Sequence, residues 1–541
     1  MAEFNYPPIH FQTDPSQYKH WAVQYDGSIA TVIMNVQIDH PMWENRYELK
    51  SSSYDLGVDI ELNDIVQRMR FEHPEIKVVL VTGGQEKIFC AGANIPMLGT
   101  SPHAFKVNFC KYTNETRCSI EDATAYSGQT WVAALNGTAS GGGYELALAC
   151  EKIYLIDDGN SAVSLPEVPL LGVLPGTGGL TRLTDKRKIR RDVSDLFCTK
   201  AEGYRANKAL KYKLIDGYFS RSKWDNGIQK IAEELALQTE TKANEGIILP
   251  TIVSNDEDNV WSYQFVTVEL DGRVATITVR SSGEAPARSA DTWALRMYRE
   301  LEDALIRLRF NHLNIGVLLI KSQGSLQDVL THDDWVLDNE DNDWFIREIR
   351  LFQTRTLRKL DNMSKSIFAL IEEDSCFAGS VFEMALAADR SYMFEDDDGE
   401  NAIQLGKANR GIHAMANGIS RLEARFLGHS EPVERALEEE DAIDAVDAMD
   451  LELVTDSLDD IDYEDEVRIA IEERVSLSPD ALTGMEQNLR FGGRECMENK
   501  IYGRLSAWQN WIFQRPNAVG QRGALTMYGQ PEQPIFDYRR T

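Results

Sequence analysis

The sequence of 541 residues predicts an α/β protein built twice over. Three observations carry this. Apolar runs of strand length alternate with stretches whose apolar residues recur at helical spacing. Glycine clusters stand where strands pass into helices. The order of these signals in the first half returns in the second, which marks an internal duplication. A chain of this length exceeds one usual domain. The expected division is a catalytic domain over 1–257 and a degenerate second copy, with a C-terminal helical region, over 258–541.

Residues 1–20 read as an extended, proline-containing lead-in. HWAVQYDGSIATVIMN holds two strand-like runs around Asp26-Gly27, a hairpin signal because a tight turn needs positive φ there. Leu56, Ile60, Ile65, Val66 and Met69 give the next segment a helical apolar face. KVVLVTGGQEKIFCAGANIPML, Lys77 to Leu98, reads as a buried strand, a turn, the loop FCAGAN and a helix start. Pro102 to Asp122 is helical, and TWVAALNG from Thr130 is a strand.

TASGGGYELALAC follows, with Gly141, Gly142 and Gly143 ahead of a helix carrying Leu146, Leu148 and Ala149. Amides at a helix start have no partner inside the helix, and the helix dipole makes them attractive to negative charge. Glycine admits close approach of a carbonyl. Glu145 stands in the first helical turn. SLPEVPLLGVLPGTGGLTRL then carries Glu167 in a loop between prolines, followed by Gly176, Gly178 and Gly179. Two carboxylates beside an anion-binding turn suit general acid/base chemistry next to a stabilised oxyanion. Asp185 to about Gln238 reads as helical, and TETKANEGIILPTIVSNDEDNVW as a linker.

In the second half LDGRVATITVRS echoes YDGSIATVIMN, SCFAGSVFEMALAADR echoes GTASGGGYELALAC, and LGKANRGIHAMANGISRL echoes PEVPLLGVLPGTGGLTRL. The chemistry is not repeated. Gly379-Ser380-Val381 replaces the three glycines, Gly406 stands in the place of Glu167, and SLQDVL replaces FCAGAN. Glu383, at the place of Glu145, is expected to be structural.

The loops FCAGAN and SGGGYE and the segment PEVPLLGVLPGTGG together resemble the crotonase (enoyl-CoA hydratase/isomerase) superfamily. The resemblance implies tandem domains of repeated ββα spiral turns with C-terminal helical segments. It implies that the Ala93 and Gly142 amides form an oxyanion hole for the thioester oxygen of an acyl-CoA. Glu145 and Glu167 match the two catalytic glutamates of the hydratase branch. Ala91 matches a position whose backbone meets the adenine of CoA; Gly141 and Cys110 join it as substrate-contacting positions. No cofactor is implied beyond the coenzyme A of the substrate, and a homodimer is the expected assembly. The duplicated length and the lead-in FQTDPSQYKHW point within the superfamily to a ring-cleaving branch, which opens an epoxide of an aromatic CoA thioester with water and releases formate. The alternative is an ordinary enoyl-CoA hydratase or isomerase with a degenerate partner domain.

Other classes are disfavoured. A formal net charge of -30 opposes a nucleic-acid surface and adhesion to anionic membranes. Seven scattered cysteines make no disulfide framework, and with no secretory pattern at the N-terminus or membrane-span run the expected location is the cytoplasm. The nine histidines lack metal-ligand spacing. The second glycine cluster lacks the Lys-Ser/Thr of a P-loop, and no GxSxG elbow occurs. The basic run DKRKIRRD, Asp185 to Asp192, reads as a solvated helix face, with a smaller prospect of holding CoA phosphates; the acidic stretch Leu437 to Val467 reads as solvated surface.

Overall fold

Gly27, at φ +57°, closes the hairpin of β1 (Trp21–Asp26) and β2 (Ile29–Met34) in the computed structural model. The model describes residues 7–396 and 400–541. The chain forms two compact units, 11–251 and 252–541, the latter joined by Pro7–His10.

In the first unit, α1 (Leu56–Phe71) leads to β3 (Val78–Gly83) and β4 (Lys87–Cys90), then α2 (Ile95–Thr100) and α3 (His103–Tyr126). A second turn follows as β5 (Thr130–Leu135), β6 (Gly137–Ser140) and α4 (Gly142–Ala149). β7 (Lys152–Asp157) and β8 (Ala162–Ser164) begin a third, completed by β9 (Tyr204–Arg205) and β10 (Gly217–Ser220). The first strand of each turn joins a six-stranded sheet, β1-β2-β3-β5-β7-β10; the second joins a four-stranded sheet, β4-β6-β8-β9. After the antiparallel β1–β2 pair every contact in the larger sheet is parallel. This is a ββα spiral.

Asn136 marks where the chain changes sheet. Its Oδ1 accepts from the Gly83 N–H (3.1 Å) and its Nδ2 donates to the Gly83 carbonyl (2.7 Å), which ties the corner after β5 to the corner after β3. Gly137 follows because a Cβ there would lie 2.3 Å from Ile88 N. The corner thus sets β4 and β6 side by side, in parallel. One face of the larger sheet packs Ile29, Val78, Leu80, Val132, Ala134 and Ile156 against Trp224, Ile228, Ala232 and Ala236 of the helix Trp224–Ala236.

The second unit adds a hairpin, β11 (Asn255–Glu257) and β12 (Val260–Ser262), to the same plan. Its main sheet continues with β13 (Val266–Asp271), β14 (Val274–Arg280), β15 (Val317–Gln323), β16 (Ser366–Ile371) and β17 (Arg390–Phe394). A short pair, β18 (Ala402–Ile403) and β19 (Ile443–Asp444), precedes the last sheet strand, β20 (Asp456–Leu458). From β13 onward the sheet repeats the order and directions of the first unit, and the helix Tyr463–Ser476 covers it as Trp224–Ala236 does the first. The small sheet recurs only in part: β18 and β19 pair antiparallel as β8 and β9 do, and a single parallel bridge joins Ala378 to Gln404. Where the first unit turns from β3 into β4, the second runs from β15 into a helix, Leu326–Asn339.

Three local expectations need correction. Asp185 to Gln238 is not continuously helical: β9 and β10 interrupt it, two and four residues long, too short for a periodic signal and held by pairing with β8 and β7. The stretch from Thr239 to Trp261 ends in the β11–β12 hairpin, turned by Asp258 at φ +50° with Asn259. Glu167 opens a wide helical turn, Glu167–Leu171, instead of lying in an irregular loop.

Candidate active site

The parallel pairing of β4 with β6 brings FCAGAN beside SGGG. Gly92 has φ +89°, and a Cβ on it would sit 2.8 Å from Ser140 O and 3.0 Å from Gly142 N. Gly143 serves the same approach: a Cβ there would meet the Cys90 Cβ at 2.6 Å. A Cβ built on Gly142 lies 3.3 Å from Ala93 N, so the two amides are neighbours. Among the described residues neither N–H donates to any group of the protein. Two free, adjacent amides at the start of α4 make an anion-binding position.

Both glutamates are buried beside it, Glu145 at 2% exposure and Glu167 at 8%. Glu145 accepts from the Gly179 N–H (2.8 Å) and from the Thr177 hydroxyl, so the second glycine cluster exists to bring donors onto a carboxylate. A side chain at Gly179 would collide with Glu145 Oε1, 2.8 Å from the Cβ position. Glu167 is treated differently. Its Oε2 is buried without a hydrogen-bond partner, and burial together with the charge of Glu145 pushes its carboxyl up to about 7. Gly141, at φ +52°, lets Glu167 Oε1 approach to 2.7 Å of where a Cβ would stand. Gly141 therefore stands against the Glu167 carboxyl group.

Cys110 is half-buried on α3, its Sγ 3.9 Å from the Cβ position of Gly176. Burial, and then Glu145, push its thiol up to about 11, which keeps it protonated and a poor nucleophile. Ala91 is exposed, with its N–H on Ser51 O at 3.3 Å. The basic run is solvated in part: Lys188, Arg190 and Arg191 are exposed, while Lys186 and Arg187 are half-buried and tied to the protein. Lys186 donates to Glu121 and to the carbonyls of Ala149 and Cys150 that end α4; Arg187 pairs with Asp216 and Arg190 with Asp192. Thr177, a donor to Glu145, escaped the sequence reading, although it stands inside the PGTGG segment already singled out.

In the second unit Ser380 stands where Gly142 does in the first. Its N–H donates to Asp333 Oδ2 at 2.6 Å, so a carboxylate of the chain fills the position of the anion. Gly379, at φ +43°, gives that carboxylate room. Asp333 is fully buried and its carboxyl is pushed up to about 7, chiefly by burial. Glu383 accepts from Asn409 Nδ2 and Arg421 Nη1, both at 2.9 Å, while Arg421 holds Asp361 at 2.7 Å. Among the described residues no group of three or more His, Cys, Asp or Glu is arranged to hold a metal, and no helix is long and apolar enough to cross a membrane.

The family model for enoyl-CoA hydratase/isomerase matches residues 33–245. The benzoyl-CoA-dihydrodiol lyase of Aromatoleum evansii is 50% identical over 544 residues, 98% of this chain and 98% of its own. The carnitinyl-CoA dehydratase of Proteus mirabilis strain HI4320 is 28% identical, over 39% of this chain and 72% of its own. The structure of an enoyl-CoA hydratase from Bacillus anthracis covers 40% of this chain and 77% of its own at 27% identity and a TM-score of 0.34. The protein belongs to the enoyl-CoA hydratase/isomerase family, the crotonase superfamily. With half its residues shared along almost the whole of both chains, it is an enzyme, a lyase of the same type as the Aromatoleum protein.

Proposed function

We propose that the protein cleaves the ring of 2,3-epoxybenzoyl-CoA with two waters, yielding 3,4-dehydroadipyl-CoA semialdehyde and formate in aerobic benzoate degradation. The observation that carries this is the convergence of two free amides and two differently held glutamates in one place, in a chain that matches a benzoyl-CoA-dihydrodiol lyase from end to end.

The thioester oxygen lies between the amides of Ala93 and Gly142. Charge that develops on it as the ring opens is met by donors already in place; losing one such donor typically costs about 100- to 1000-fold in rate. Glu145, an acceptor from Gly179 and Thr177, is oriented to take a proton from water. Glu167, with one oxygen unpartnered and its carboxyl near neutrality, carries the proton back to substrate. Coenzyme A enters as part of the substrate, with Ala91 and Cys110 beside it. The catalytic site belongs to the domain 1–257, and 258–541 is its degenerate copy.

Incubating the protein with 2,3-epoxybenzoyl-CoA and measuring formate tests this reading. Formate should appear in step with substrate loss, and Glu145→Gln and Glu167→Gln should each abolish it while CoA-thioester binding persists. Hydration of crotonyl-CoA without formate would instead assign general enoyl-CoA hydratase activity.

A further inference from the structure

The two amides of the proposed hole come from different turns of the spiral, and Gly142 has no side chain to restrain its peptide planes. Something must hold them in register. We infer that Arg117 is the positioning residue of this hole, acting through a buried network that grips both of its halves. This inference rests on the reading of Ala93 and Gly142 as thioester-oxygen donors.

Arg117 is 1% exposed, on α3. Its Nη2 donates to Gly142 O at 3.0 Å and its Nη1 to Thr113 O at 3.1 Å. A charged donor on the Gly142 carbonyl anchors the very residue whose N–H must face the substrate. The guanidinium also lies over the Tyr54 ring, 5.7 Å from its centroid. Tyr54 grips the other half. Its N–H donates to Gly92 O (2.9 Å) and its carbonyl accepts from Asn94 N (2.8 Å), so its backbone brackets Ala93 on both sides. The Tyr54 hydroxyl donates to Asp59, which also accepts from Thr116 Oγ1 at 2.9 Å, one residue before Arg117. Burial pushes the Asp59 carboxyl up, while the charge of Arg117 acts the other way and favours its carboxylate. The contacts thus run from Ala93 through Tyr54 to Arg117 and Gly142, with Asp59 tied to Tyr54 and to Thr116, the neighbour of Arg117.

A full positive charge behind the hole, away from water, also adds to the field that an oxyanion would feel. The second unit supplies a contrast. Counting back by equal steps from Thr130 and Ser366, which pair with Val78 and Val317, reaches Arg117 in one unit and Gln353 in the other. Gln353 donates to Ala294 O, not to the Ser380 carbonyl that stands where Gly142 O does. The copy whose hole is filled by Asp333 has no cation at this place.

The test uses the full chain, turnover of 2,3-epoxybenzoyl-CoA, and the vibrational band of benzoyl-CoA labelled with carbon-13 at its carbonyl. In the parent protein the carbonyl stretch of bound benzoyl-CoA should move to lower frequency. Arg117→Met should lose most of that displacement and about 10- to 100-fold in kcat, below the cost of deleting a donor outright, with KM nearly unchanged. Arg117→Lys keeps the charge but cannot span both carbonyls, and should fall between. A band equally displaced in the parent and in Arg117→Met overturns the positioning role, whatever happens to stability. If Arg117→Met does not fold, Arg117→Lys decides, and an unchanged band and kcat overturn the role. Bound benzoyl-CoA with no displacement in the parent protein overturns the hole itself, and the role of Arg117 with it.

Discussion

Glu167 carries a cost in the folded protein that pH should expose. Its carboxyl is raised from 4.5 to about 7, first by burial and then by the charge of Glu145. Between those limits the native state binds a proton that the unfolded chain does not, so stability falls as pH rises through that window. Below it both states are protonated and the contribution is complete; above it the contribution is gone. Glu167→Gln should flatten this slope in urea unfolding measured from pH 4 to 8. The same substitution should remove an inflection near pH 7 from any residual rate profile. Gly141→Ala is a sharper probe. The residue would be held at φ +52° and ψ -128°, at a cost of about 1–3 kcal/mol, and its methyl would press Glu167 Oε1 from 2.7 Å. We expect kcat to fall more than stability does.

Among the elements, the small sheet decides where two free amides can stand together. β4 exists only in the first unit, and with it the loop that offers the Ala93 amide. In the second unit the helix Leu326–Asn339 occupies that stage of the chain and presents Asp333 to the Ser380 amide. Glu383 is consumed by Asn409 and Arg421. Glu383→Gln should leave kcat per folded chain unchanged. It should lower stability by about 3 kcal/mol, because Arg421 would stay buried with one partner fewer; thermal unfolding alongside turnover separates the two. The exposed apolar side chains after β8, Leu170, Val173 and Leu174 among them, lie in the same segment as Glu167 and Thr177.

For the whole molecule, one open hole and one self-filled hole predict one acyl-CoA per chain. Calorimetric titration with benzoyl-CoA should saturate at that ratio, and two sites per chain would refute the view of Asp333 as a plug. The duplication has kept the sheet and its covering helix, which are paid for by apolar burial along Val78, Leu80 and Val132 in one unit and Val317, Leu319 and Phe368 in the other. It has released the loops. A homodimer remains the proposed assembly, to be checked by light scattering.

Much of this was legible in the residues themselves. Asp26-Gly27, the strand TWVAALNG and the apolar spacing of α1 are local signals, and local propensity and patterning suffice to read them. The three glycines were legible because a strand-to-helix turn makes a local steric demand, and the two glutamates because the segments that carry them resemble a known family. The repeat was legible because it is a comparison of the chain with itself. Other features were decided only by tertiary structure. Thr177 reaches Glu145, and Arg117 reaches Gly142, across turns of the spiral that no window of sequence contains. β9 and β10 are strands because β8 and β7 stand beside them. Lys186 and Arg187 looked like a solvated face, yet they end on α4 carbonyls and on Asp216. The capture of the second hole by Asp333 needed a helix in place of a strand. Sequence determines what each segment can form; which polar groups meet, and so which of two similar sites stays open, depends on packing between distant segments.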